Sequence, residues 1–461
     1  MPSIYISAAH KSSGKTTLSI GLVRALRDRG VRVQPFKKGP DYIDPLWLST
    51  AAGRACYNLD FYTQSRPEIT ESYITQQHQS DLALIEGNKG LYDGVDVAGS
   101  NSNAALAVHL GSPVVLVINC QGMTRGIAPL LLGYQAFDKD IQIAGVILNQ
   151  VGGSRHQSKL IQVVEHYTDI PVLGAIQADP QLQIVERHLG LIPSNEEQSS
   201  EKLIGRLAET VKAEVNLERF LEIAGRAEPI GGAPTQNPLD SRQPYQGIKI
   251  GLARDQAFGF YYPDDLDNFR ALGAELIEFN TLKEPELPDV DGIFLGGGFP
   301  ETTMQQIENN PLMQQAIVGF IERGGPLYAE CGGLIYLTRS LTWQGKKCRM
   351  AGVIPADTVM HEKPQGRGYV RLRETGSSPW PDLTEQQREI YAHEFHYSAL
   401  VGLEANQHDY AYKVERGVGI DGKNDGYVYK NLLASYTHRR SVGGNNWVAR
   451  FLALVASLKN V

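Results

Sequence analysis

Short β-branched runs alternate with longer stretches of helical period through the N-terminal half of the chain. Ile4–Ser7, Val31–Phe36, Leu82–Glu86, Val114–Asn119 and Ile143–Asn149 each read as a buried strand that ends in a turn. Between the first two, Thr16–Arg29 sets Leu18, Leu22, Ala25 and Leu26 on one face, as an amphipathic helix does. This alternation predicts a parallel sheet joined by crossover helices. Gly111-Ser112-Pro113 and Ile170-Pro171 punctuate the chain just before new strands.

The pattern stops near Arg226. From Pro229 to Gly247 the chain is rich in Pro and Gly and has no period, which reads as a linker. Alternation then resumes with Ile248–Ala253, Ala274–Phe279, Gly292–Leu295 and Leu327–Ala329, again as strands of an open α/β sheet. The expected organisation is a parallel-sheet α/β domain over 1–225, a linker over 226–246 and a second α/β domain over 247–461.

Composition narrows the classes. With 461 residues the chain exceeds one ordinary core, and 42% apolar with 21% charged residues is a globular profile. A net charge of -7 gives no support for a nucleic-acid partner. No uncharged apolar run approaches the roughly 18 residues that span a bilayer. The start of the chain lacks the basic-then-apolar pattern of a leader, so a cytoplasmic protein without a membrane partner is expected. Cys56, Cys120, Cys331 and Cys348 lie far apart without a CxxC pair, against a zinc site or a disulfide framework.

Two stretches carry chemistry. Ala9-His-Lys-Ser-Ser-Gly-Lys-Thr16 follows the first strand and opens the first helix, matching G-x-x-x-x-G-K-[ST] except that Ala9 replaces the first Gly. Gly14 lets the backbone approach a phosphate, Lys15 reaches the β/γ-phosphates, and Thr16 can hold Mg²⁺. Asp41 and Asp44 follow the second strand, and Glu86 ends the third. Strand ends are where open α/β sheets bind ligands, so these carboxylates with Thr16 form a candidate Mg²⁺ shell rather than mere turn caps. Lys37 and Lys38 suit an anionic substrate or phosphate, the bland reading being solvated loop charges.

In the second half, Pro326-Leu-Tyr-Ala-Glu330 runs into Cys331-Gly-Gly, the placement of a nucleophile elbow. A helix N-terminus lowers a thiol pKa, and Gly332 leaves an N–H for an oxyanion. Gly297 and Gly298, after an upstream strand, can supply the second N–H. His438 ends a late apolar run, where a base distant in sequence and near in space is expected. The remaining cysteines read as packing residues. His393 and His396 have the wrong spacing for a zinc helix and read as structural, with Glu394 a candidate orienting group.

These residues, together with Phe36-Lys-Lys-Gly-Pro-Asp-Tyr-Ile-Asp44, Glu86-Gly-Asn-Lys-Gly-Leu-Tyr-Asp-Gly94, Gly296-Gly-Gly-Phe-Pro-Glu301, Ala329-Glu-Cys-Gly-Gly333, His393-Glu-Phe-His-Tyr397 and Ala434-Ser-Tyr-Thr-His438, resemble the cobyrinic acid a,c-diamide synthase family over nearly the full length. The resemblance implies a dethiobiotin-synthetase-like ATPase domain joined to a class I glutamine amidotransferase-like domain. It implies ATP and glutamine as co-substrates, Mg²⁺ as cofactor and an anionic tetrapyrrole as substrate, with a homodimer one assembly open to it. Carried over, Ser13, Gly14, Lys15, Thr16 and Thr17 serve ATP, and Thr16, Asp41 and Glu86 serve Mg²⁺. Lys37, Lys38, Asp41 and Asp44 align the substrate carboxylate, while Cys331 attacks glutamine and His438 activates it. The class I triad has a Glu two residues after its His, but position 440 is Arg, so a dyad is expected. The loop and the lysine pair are also similar to the sirohaem amidase branch, the alternative within the family. From other classes, a regulatory ATPase with a degenerate second domain leaves the Cys331–His438 pair without purpose. A dethiobiotin-like carboxylating ATPase leaves the whole second half unexplained.

Overall fold

The computed structural model describes residues 1–182, 184, 186–187, 190–191, 193–194, 200–231, 243–382, 389–404 and 408–459. The chain divides into two compact units, Met1–Thr235 and Gln236–Val461. The linker expected over 226–246 falls in part on 232–242, outside the described residues.

In the first unit the strands are β1 (Ser3–Ala8), β2 (Val33–Lys38), β3 (Tyr57–Leu59), β4 (Leu82–Glu86), β5 (Val114–Asn119), β6 (Ile143–Val151) and β7 (Val172–Gln177). They form one sheet in the order β3-β2-β4-β1-β5-β6-β7 with parallel neighbours throughout. β1 and β4 are buried at every position, because helices cover both faces and leave no polar side to alternate. The helix Lys15–Asp28 buries Leu18, Leu22, Ala25 and Leu26, the stripe that its period predicts. It crosses the helix Ser200–Glu214 closely enough that a Cβ on Gly21 would lie 2.8 Å from the Leu207 carbonyl oxygen.

The second unit is mixed. Its strands are β8 (Lys249–Ala253), β9 (Glu275–Phe279), β10 (Gly292–Leu295), β11 (Leu327–Glu330), β12 (Thr338–Trp343), β13 (Lys346–Arg349), β14 (Ile354–Met360), β15 (Gly366–Glu374), β16 (Glu389–His396), β17 (Ser398–Val401), β18 (Asp409–Arg416), β19 (Asn424–Tyr429) and β20 (Leu432–Ser435). The main sheet runs β9-β8-β10-β11-β20-β19-β18-β15-β16, parallel from β9 to β20 and antiparallel beyond. A smaller sheet runs β13-β12-β14-β17. The expected open α/β sheet is therefore its parallel half. The antiparallel half escapes an apolar-run reading because strands such as Gly366–Glu374 and Asp409–Arg416 alternate buried positions with charged ones.

Both parallel sheets end in glycine-rich turns at their carboxyl edges, and there the candidate side chains gather. Among the described residues, no helix is long and apolar enough to cross a membrane.

Candidate active sites

The loop after β1 takes left-handed backbone at Ser12 (φ 64°) and Gly14 (φ 85°) before its helix starts at Lys15. The Asn149 amide, at the end of β6, donates to the Ser13 carbonyl (2.9 Å) and lies against Gly14. Lys15 Nζ donates to the Lys89 carbonyl (2.7 Å). Thr16 Oγ1 lies 2.7 Å from Glu86 Oε1 and 3.2 Å from Asp44 Oδ2. Thus the phosphate-loop hydroxyl, the carboxylate that ends β4 and that of Asp44, in the first turn of the helix Ile43–Ala52, share one spot.

Lys37 departs from the substrate-facing place expected for it. Its side chain is 2% exposed, and its ammonium lies 2.5 Å from Asp44, 2.8 Å from Glu86 and 4.0 Å from Asp41. A lysine at the end of a central strand is enclosed on both faces, so it pairs with the neighbouring strand's carboxylate. Burial alone would lower its pKa, but Asp44, Glu86 and Asp41 outweigh it and hold the ammonium well above its ordinary value. Burial, with Asp44 beside it, pushes Asp41 up to about 7. Asp44 is opposed by the same burial but held below the usual carboxylate range by Lys37. Burial lowers Lys15 and Lys38 to about 8, with Lys37 adding to the effect at both and Asp60 partly offsetting it at Lys38.

Asn103, fully buried, organises the turn after Glu86. Its carboxamide oxygen accepts from Tyr5 Oη (3.0 Å) and the Asn88 amide (2.9 Å), and its Nδ2 donates to the Gly90 carbonyl (2.6 Å). Sequence reasoning missed it. The only signal was a polar residue opening an otherwise apolar helix, Asn103–His109.

In the second unit, Cys331 sits between β11 and the helix Gly332–Leu337 with φ 46° and ψ −95°, a strained turn for a residue with a Cβ. Its amide is anchored on the Ser435 carbonyl of the parallel neighbour β20 (2.7 Å). That pairing carries His438 to the same sheet edge. Gly297 and Gly298, after β10, complete it. A Cβ on Gly297 would stand 2.5 Å from His438 Cε1, and one on Gly332 would stand 2.9 Å from the Gly298 nitrogen. The five residues named from sequence therefore converge.

Two features run against or beyond expectation. Cys331 is 7% exposed, and burial, followed by Glu301 and Glu330, pushes its thiol pKa up; the Gly332 amide pulls it down by less. Burial thus outweighs the pull of the amide at the helix start. His393 packs its ring on His438 (centroids 5.0 Å apart), and each exchanges a backbone contact with the other. Burial, with His438 beside it, pushes His393 well below its ordinary pKa. Glu394 is committed elsewhere, accepting from the Val418 (2.7 Å) and Gly419 (2.8 Å) amides. His396 stacks on Tyr436, as a structural residue does.

Residues 5–192 match the CobQ/CobB/MinD/ParA nucleotide binding domain, and residues 249–445 match the CobB/CobQ-like glutamine amidotransferase domain. The chain is 44% identical to a cobyrinate a,c-diamide synthase of Magnetococcus marinus, over 98% of this chain and 97% of that protein. It is 39% identical to the protein of that name from Archaeoglobus fulgidus, over 98% and 97%. It is also 39% identical to the one from Methanosarcina acetivorans, over 96% and 93%. With both domain models matched in order and relatives aligned nearly end to end, the chain belongs to the cobyrinate a,c-diamide synthase family.

Proposed function

We propose that this chain uses ATP and glutamine to convert the a and c carboxylates of cobyrinic acid into carboxamides. The observation that carries it is the elbow: Cys331 on a strained strand–helix turn, with His438 and two glycine turns at the same sheet edge. Cys331 Sγ attacks the amide carbon of glutamine while its proton passes to His438 and on to the departing nitrogen, giving ammonia and a γ-glutamyl thioester. Water, deprotonated by the same imidazole, then frees glutamate and restores the thiol. Gly332 and Gly298 offer amides to the oxyanion of both steps.

In the first unit a substrate carboxylate takes the terminal phosphoryl group of ATP, leaving ADP and an acyl phosphate. Ammonia displaces phosphate from that carbon, and one proton is lost. Lys15 and the loop amides neutralise the phosphates, and Lys38, buried but set outside the Lys37 cluster, suits the substrate carboxylate.

The donor set fits Mg²⁺. Asp41, Asp44 and Glu86 outnumber the one ammonium they surround, and Glu86 Oε2 is buried without a hydrogen-bond partner among the described residues. Among those residues no trio of acidic, His or Cys side chains is already grouped as a metal cage. Mg²⁺ is usually held by one or two carboxylates together with the nucleotide's own phosphates. Thr16, Asp41 and Glu86 would hold it, and it would draw charge off the phosphoryl oxygens during transfer.

The purified protein, given ATP, glutamine and either cobyrinic acid or sirohaem, tests the reading by mass spectrometry. Two amidations of cobyrinic acid are expected. Amidation of sirohaem alone would move the chain to the other branch, and no amidation of either with intact glutaminase would refute the substrate class.

A further inference from the structure

The position that carries the third triad residue in class I amidotransferases is occupied by Arg440, and its guanidinium is spent on Asp264 (2.5 Å). The structure assigns the missing carboxylate to Glu330, the residue immediately before the nucleophile, as the positioning residue for His438. This rests on Cys331 and His438 being the glutaminase pair.

Glu330 Oε2 lies 3.5 Å from His438 Nδ1, with both side chains almost fully buried. That is ion-pair range, at the long edge of hydrogen bonding; catalytic contacts often tighten only in the complex with substrate. The other oxygen is fixed. Oε1 accepts from Tyr328 Oη (2.6 Å) and from the Arg439 amide (2.8 Å), the residue directly after His438. A single carboxylate therefore clamps the backbone that carries the imidazole and faces one ring nitrogen. With the proton held at Nδ1, Nε2 remains as the base for the thiol, and the carboxylate stands beside the imidazolium formed when the sulfur is deprotonated. The triad geometry is kept, but its acid comes from the nucleophile's strand rather than from beyond the histidine. Sequence order hides this, since Glu330 reads as the last residue of a buried strand.

Glu330→Gln separates orientation from packing. Its carboxamide oxygen can keep both Oε1 contacts, while its NH₂ would face Nδ1 and favour the proton on Nε2, where it blocks base catalysis. Glutaminase kcat should fall roughly 10²–10⁴-fold at unchanged glutamine KM, with ammonia-driven amidation serving as the folding control. Nitrogen-15 spectra of histidine-labelled enzyme should show His438 protonated at Nδ1 in the parent and at Nε2 in the variant. Glu330→Asp, which keeps the charge, should keep the parent tautomer and recover part of kcat. A Glu330→Gln enzyme with kcat within threefold of the parent, or one that loses glutaminase with Nδ1 still protonated, overturns the assignment. Cys331→Ala is run beside it: if that variant still uses glutamine, the underlying pair is wrong, which is a separate failure.

Discussion

Gly297→Ala isolates the meeting of the glycine turn and the imidazole. The added Cβ would stand 2.5 Å from His438 Cε1 and 3.3 Å from Nδ1. Carbon atoms rest about 3.5–4.0 Å apart, so something must give by about 1 Å. Gly297 does not have left-handed backbone, so the change adds no torsional strain. The backbone of His438 is held by its amide on the His393 carbonyl (2.8 Å), and the strain falls on the ring. A catalytic group misplaced by about 1 Å loses on the order of 10²-fold in rate. That corresponds to about 2.7 kcal/mol of transition-state stabilisation. Overpacking should cost about 1–3 kcal/mol of stability. Glutamate release from glutamine, ammonia-driven amidation and a thermal melt, measured side by side, check both numbers. Glutaminase should drop about a hundredfold while the ammonia reaction continues. Glutamine turnover within threefold of the parent would show that the ring at this edge is not the base.

Gly14→Ala should weaken ATP binding at least about tenfold by titration calorimetry, since its Cβ would fall 2.1 Å from Asn149 Nδ2 at a φ of 85° that side chains rarely adopt; unchanged affinity would refute the loop's role. Lys37→Met removes the ammonium from between Asp44 and Glu86 and should cost about 3–5 kcal/mol in urea denaturation. A loss under about 1 kcal/mol would mean the cluster does not depend on it. Because burial and two nearby carboxylates raise the Cys331 thiol, its thiolate is scarce at neutral pH and grows with each unit above it. Iodoacetamide labelling of Cys331, read by peptide mass spectrometry, should still be climbing at pH 9. A plateau below pH 8 would mean the resting sulfur is already ionised.

How much of this was legible depended on whether chemistry wrote itself into short-range pattern. Leu82–Glu86, Val114–Asn119 and Gly292–Leu295 match their expected bounds to the residue, because strands buried on both faces are unbroken apolar runs. Gly14, Cys331 and the glycines at 297 and 298 were readable because tight turns restrict residue type. Tyr57–Leu59 was too short to show a period, and β15, β16 and β18 hid behind interspersed charges. The fate of Lys37 was illegible for another reason. Whether a strand-end lysine faces ligand or neighbour depends on the adjacent strand, and β4 is 49 positions away in the contact to Glu86. Glu330 was hidden likewise, since its relation to His438 exists only through the pairing of β11 with β20.

The two sheet edges solve opposite electrostatic problems. Around Thr16 three carboxylates, Asp41, Asp44 and Glu86, crowd the Lys37 ammonium, an arrangement that suits an incoming cation and nucleotide. Around Cys331 burial first, then Glu301 and Glu330, hold the thiol above its ordinary pKa. On the proposed chemistry this restraint has a use. A thiol that ionised freely would hydrolyse glutamine whether or not an acyl phosphate was waiting. On that reading the proton leaves sulfur only when His438 takes it, and the charge that then appears on the ring lies beside Glu330. The same carboxylate thus opposes the resting thiolate and supports the charge-separated state on the path to the thioester. That pairing of effects is preorganisation for the transition state rather than for the ground state.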